Sequence, residues 1–121
     1  MEKRFIDSVK IKNGKATQFT LTIIGYEDDG THVAYSPALD MYAYGSTKQE
    51  ALQAMDETIH LYVDHVHEEG TLAKDLMSHG WKESQLLEKK FTPPKYDPRV
   101  IMSNLGVNSF QVQDRRLALQ H

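Results

Sequence analysis

The order of apolar residues predicts a small α+β domain, an antiparallel sheet of three to four strands with one main helix and one short helix packed on a face. Two patterns carry that expectation. From Phe19 to Ile24 the run FTLTII alternates with a period of two, whereas beyond Thr47 the apolar positions recur at three and four. Length is the third observation, because 121 residues supply one full-sized core rather than two.

The first strand is the least marked, running near Phe5 to Ile11 and turning back at Asn13-Gly14. The second has Phe19, Leu21 and Ile23 on one face and Thr20, Thr22 and Ile24 on the other. Glu27, Asp28, Asp29 and Gly30 then form a hairpin loop of about four residues, with the glycine taking the awkward backbone conformation. The next strand starts near Thr31 and ends around Pro37, which cannot donate to a ladder, and MYAYG resumes a short strand.

Ser46 or Thr47 caps a helix, and Glu50 completes a capping-box signature three residues after Thr47. Its apolar stripe is Ala51, Leu52, Met55, Ile59, Tyr62, Val63 and Val66, and its solvated face is Gln53, Asp56, Glu57, His60, Asp64, His67 and Glu68. Gly70 closes this helix, and a shorter one follows, capped by Thr71 and stopped by Gly80. The segment FTPPKYDPR holds three prolines and reads as an extended connection. Beyond it NSFQVQDRRLAL reads as one long strand or a tight hairpin. Residues 1–90 are thus expected to form the domain, and 91–121 a connection and C-terminal strand without independent standing.

Composition narrows the function. The absence of cysteine removes disulfide frameworks, thiolate metal sites and thiol nucleophiles. A net charge of −3 lacks the strong positive field of a nonspecific nucleic-acid binder and suits a basic partner better. No apolar run approaches the roughly 20 residues that span a bilayer, so a cytoplasmic protein is expected.

An aromatic-rich strand, a proline and then a leucine, a glycine before a threonine, and glutamate-alanine fall in order at Tyr35, Pro37, Leu39, Gly45, Thr47, Glu50 and Ala51. Over roughly Phe19 to Gly70 this resembles the HicB-type antitoxin family. The resemblance implies a partial, degenerate ribonuclease-H-like domain that neutralises a small messenger-RNA-cleaving toxin, HicA, by covering its surface. Many members also repress their own operon through an appended helix-turn-helix or ribbon-helix-helix module. Residues 97–121 show no pair of amphipathic helices, so DNA binding is not expected of this chain. Pairing of a sheet edge or of the tail with a second copy is expected.

Chemistry and resemblance together select Tyr26, Glu27, Asp28, Asp29, Tyr35, Tyr42 and Tyr44 as the toxin-binding candidates, since tyrosines bury large areas while keeping a polar tip. No catalytic residue, cofactor or metal is expected. Two alternatives stand beside this reading. Glu27, Asp28 and Asp29 with Asp40 invite a metal-dependent nuclease, although adjacent strand residues point to opposite faces. A stand-alone regulatory binding module is the other.

Remaining candidates have simpler readings. His60 and Asp64 are spaced for one helix side but lie on the solvated face, and His65 and His67 do not face each other. His79 and His121 offer further imidazoles without a ligand pattern. Ser36 lacks a nucleophile elbow. The pairs Lys89-Lys90 and Arg115-Arg116 are too far apart for a groove-sized basic patch.

Overall fold

The computed structural model describes residues 7–13, 15–84 and 90–119. Phe5, Gly14, Lys89 and His121, which entered the expectations above, lie outside those residues. The chain runs β1 (Ser8–Lys12), β2 (Lys15–Asp28), β3 (Thr31–Ser36), β4 (Met41–Gly45), α1 (Lys48–Glu69), α2 (Leu72–Ser78), β5 (Lys82–Ser84), β6 (Lys90–Thr92), α3 (Pro98–Asn104) and β7 (Gln111–Ala118).

The main sheet is antiparallel and has five strands, one more than expected. The extra strand arises because β2 is fourteen residues long and serves several partners. One edge of β2 pairs with β1 through residues up to Thr20 and with β3 from Ile24 onward, while the other edge pairs with β7 from Gln18 to Gly25. The C-terminal segment is therefore one strand and not a hairpin. Between β1 and β3 the ladder is interrupted, and the backbone N–H of Thr22 donates instead to the Asp7 carboxylate at 2.7 Å. Tyr96 donates its hydroxyl to the other Asp7 oxygen at 2.5 Å. A register shift between Lys10 and Ile11 breaks the ladder again, and there the Ala16 N–H donates to His67 Nε2 at 3.0 Å.

Alternation on β2 places Phe19, Leu21 and Ile23 on the face that α1 covers, where they pack with Met55, Ile59, Val63 and Val66. Trp81 enters the same core, edge-on to Phe19 with ring centroids 6.4 Å apart, and donates its indole N–H to the Ala38 carbonyl at 2.8 Å. The N-terminus of α1 forms as its sequence dictates: Thr47 Oγ1 accepts from the Glu50 N–H at 3.1 Å. The return bond runs from the Ser46 N–H to Glu50 Oε2 at 2.9 Å, one residue earlier than in the usual box. At the other end Gly70 adopts φ 70°, and the N–H groups of Gly70 and Thr71 close onto the His67 and Val66 carbonyls. Thr71 makes no side-chain cap to α2.

Two residues assigned to the solvated face of α1 are tied down. Asp56 accepts from Arg115 Nε and Nη2 on β7, one to each carboxylate oxygen, and His67 accepts the Ala16 bond. A helix lies on one side of the sheet only by meeting its neighbouring strands along both flanks, so residues bordering the apolar stripe become contacts.

The proline-rich connection differs from expectation too. It contributes β6, which pairs with β5 as a small second sheet, and then α3, with Asp97 Oδ1 accepting the Arg99 N–H and Pro98 in the first turn. α3 lies on the face of the main sheet opposite α1, where Met102 packs with Ile24 and Tyr35. Among the described residues no helix is long and apolar enough to cross a membrane.

Burial raises the Asp7 carboxyl above its ordinary value, although Tyr96 and the Thr22 N–H favour its ionised form. The folded chain then holds this proton more tightly than the unfolded chain. The cost of the buried charge is complete at neutral pH and is relieved as pH falls through the raised value toward the ordinary one. Asp7→Ala, which orphans Thr22 N–H and Tyr96, should lose about 1–3 kcal/mol in urea unfolding. Asp7→Asn keeps an acceptor and sheds the charge, and acidification should move the comparison with it in favour of the wild type.

Arg115→Ala should cost about 1 kcal/mol, because the pair is bidentate but partly open to solvent. A double-mutant cycle with Asp56→Ala measures the coupling, and Arg115→Lys should recover little of it.

Candidate functional site

The cross-strand register brings Ile24, Tyr35 and Tyr42 into one row and Tyr26, Val33 and Tyr44 into the next. Side chains in both rows share the sheet face opposite α1. Tyrosines scattered from position 26 to 44 are thus gathered on one surface. Tyr42 and Tyr44 are 38% and 61% exposed, whereas Tyr35 is buried. Tyr35 and Tyr42 stack with centroids 4.3 Å apart and planes at 24°, and Tyr35 donates its hydroxyl to Asp40 Oδ1 at 3.0 Å. Of the expected contact residues, Tyr35 is therefore a support that fixes Tyr42 rather than a surface of its own. Burial and the Asp40 carboxylate push its phenol well above the ordinary range.

The acidic residues are arranged differently from the tyrosines. Asp28 pairs with Thr31, leaving only Asp29 and Gly30 in the turn, both with positive φ at 51° and 83°. That is the tight hairpin turn whose twist suits the flanking strands, shorter than the loop expected. Glu27 opposes His32 and faces the α1 side, Asp28 lies on the tyrosine side, and Asp29 sits at the tip. Asp28 is near enough to Tyr26 to help raise its phenol, after burial and the neighbouring Tyr42 and Tyr44.

Asp40 is at the opposite end of β3, five residues along the strand from Thr31 to Ser36 and roughly 16 Å away by strand rise. Glu27, Asp28, Asp29 and Asp40 therefore do not converge, and among the described residues no three of His, Asp and Glu come together as metal ligands do. Imidazoles are dispersed as well: His60 Nδ1 contacts the Asp56 carbonyl and His79 lies 3.6 Å from Asp75. Ser36 is fully buried with an unpartnered hydroxyl among the described residues. Arg115 and Arg116 point to opposite faces of β7.

Sequence reasoning missed a cleft of about 570 Å³ around the turn end of β2. Gly25, Tyr26, Glu27 and Asp28 of β2 line it together with Lys48 and Leu52 of α1 and Gln111 of β7. Lys48 Nζ donates to Gln111 Oε1 across it. The signal was a glycine inside an apolar strand, where a Cβ would meet nothing closer than the Val33 carbonyl at 3.9 Å.

Five of the residues that carry the resemblance have structural roles. Leu39 is wholly buried, Thr47 caps α1, Glu50 receives the Ser46 N–H and hydroxyl and is held below its ordinary value by them, and Ala51 lies in the core. Gly45 is required by close approach: a Cβ there would stand 2.5 Å from the Ala51 nitrogen and 2.7 Å from Glu50 Cβ. Gly45→Ala should destabilise the fold by about 1–3 kcal/mol, measured by thermal unfolding, since backbone atoms must move to admit one methyl group. An unchanged midpoint would show that the β4–α1 junction is loose.

No protein-family model matches the chain, no curated protein matches it, and no solved structure matches it.

Proposed function

We propose that this chain acts by binding a protein, as an antitoxin that masks a small, basic, messenger-RNA-cleaving toxin of the HicA type. The observation that carries the reading is the sheet face opposite α1, where Tyr26, Tyr42 and Tyr44 lie in adjoining rows and the acidic hairpin of Asp28 and Asp29 bounds one end. The exposed Tyr42 and Tyr44, with Tyr26 half-buried beside the Ile24, Tyr35 and Met102 cluster, give apolar area at low entropic cost, and the acidic end supplies a field that draws in a positive partner. Inhibition follows from occupation: a toxin seated there has its RNA surface covered, and no bond is made or broken.

The resemblance at Tyr35, Pro37, Leu39, Gly45, Thr47, Glu50 and Ala51 supports the same reading and suggests a degenerate ribonuclease-H-like ancestry for the sheet and α1. On this reading the protein works in the cytoplasm. Of the seven expected contact residues, Tyr26, Asp28, Asp29, Tyr42 and Tyr44 remain in the proposed surface. Tyr35 supports it, and Glu27, opposite His32, points to the α1 side of the sheet.

Co-expression with the small protein encoded beside this one, followed by size exclusion and an RNA-cleavage assay of that protein alone and in complex, tests the proposal. A stable complex with silenced cleavage is expected, and the absence of a complex would overturn it. Replacing Asp28 and Asp29 with alanine should slow association and flatten its salt dependence, with a smaller effect on dissociation. Glu27→Ala alone should do less. Equal rates across salt for wild type and double mutant would remove the turn from the mechanism.

A further inference from the structure

We infer that the free edge of β4 pairs with β4 of a second copy, joining two sheets around a two-fold axis at Ala43. Two edges of the main sheet are protected by charge: β7 carries Asp114, Arg115 and Arg116, and β1 carries Lys10 and Lys12. β4 is Met-Tyr-Ala-Tyr-Gly, without a charge, a proline or a register shift against β3. Among the described residues its outer side pairs with nothing. An edge left flat and uncharged is a template for another strand.

The hydrogen-bonding phase of the sheet shows what that edge offers. Asp28 and Thr31 flank a two-residue turn and so exchange both backbone bonds, which directs the polar groups of residues 31, 33 and 35 toward β2 and those of 32, 34 and 36 toward β4. The Thr22 N–H, on the same phase of β2, accordingly points away from β7 to Asp7. On β4, residues 41, 43 and 45 then bond inward, and Tyr42 and Tyr44 turn their N–H and C=O groups outward.

The identity of the occupant follows from the pattern of β4 itself. Tyr-Ala-Tyr reads the same in both directions about Ala43. Antiparallel self-pairing sets Tyr42 against Tyr44 of the other copy twice, in hydrogen-bonded pairs, and Ala43 against its own equivalent in the closer, non-bonded pair. Four tyrosines then form one aromatic ladder on the face opposite α1, flanked by the Tyr35–Tyr42 stacks. On the other face only the small Ala43 meets at the axis.

α1 is compatible with this. It lies mainly over β4 and β3. Asp56 reaches β7 on one flank, so the flank bearing Ala54, Thr58 and Leu61 overhangs the β4 side, where Leu61 is 71% exposed.

Sedimentation equilibrium of the full chain alone tests the inference, and no toxin is involved, so its outcome is separate from that of the antitoxin reading. A mass twice that of the chain is expected. Tyr44→Pro removes an outward N–H and no internal bond, so it should give a monomer with an unchanged circular dichroism spectrum. Because the chain has no cysteine, Ala43→Cys provides an independent measurement: mild oxidation should yield a disulfide-linked dimer through this one position. If Tyr44→Pro fails to fold, the cross-link decides. A monomeric wild type, or a dimer that survives in folded Tyr44→Pro and does not cross-link at position 43, would overturn the inference.

Discussion

Strand β2 is the constraint on which the rest of the molecule depends. Its first half must hold β1 and its second half β3 on one edge, while β7 runs along the other. Its Phe19, Leu21 and Ile23 are buried on the α1 side, and Ile24 is buried on the other against Met102 of α3. Such a strand leaves little freedom for its backbone groups, and where the ladder is interrupted a side chain must replace it. Asp7 does this at Thr22, and His67 does it at Ala16. The cost at Asp7 is a carboxylate taken out of water, which the Tyr96 hydroxyl and the Thr22 N–H offset in part.

The motif that suggests a family is written in the parts of the chain that set geometry. Gly45 lets the end of β4 touch the start of α1, Thr47 and Glu50 define where that helix begins, and Leu39 and Ala51 fill space beneath it. These residues specify how a helix crosses a sheet. The residues of the proposed partner surface lie on the other face, where Tyr42 and Tyr44 are exposed and α3 covers Ile24 and Tyr35 beside a half-buried Tyr26. Fold and partner therefore make separable demands on the sequence, and a motif made of the first says little about the second.

Local signals were legible where the physics is local. The stripe of α1 and its capping residues are set by neighbours three and four positions away, and a hairpin at Gly30 by that residue's backbone freedom, although Glu27 and Asp28, read as loop, belong to the ladder. α3 escaped notice although Asp97 and Pro98 are an ordinary start signal, because seven residues give fewer than two turns of periodicity after a run of prolines. β5 and β6, at three residues each, carry no pattern at all. Ile24, apolar on the face otherwise occupied by threonines, was the visible hint that this face would also be covered.

The sequence by itself determined the element types of the central region, the place but not the length of the turn between β2 and β3, and which side of α1 is apolar, since each rests on interactions within a few residues. Only the tertiary structure decided that β7 returns to β2 across 86 to 100 positions, that Asp56 and His67 are contacts, and that the acidic residues spread over two faces and two strand ends while Tyr26, Tyr35, Tyr42 and Tyr44 gather on one. Strand register is the physical reason. A shift of one residue exchanges the two faces of a strand, and the register between distant segments is set by their mutual packing rather than by either segment alone.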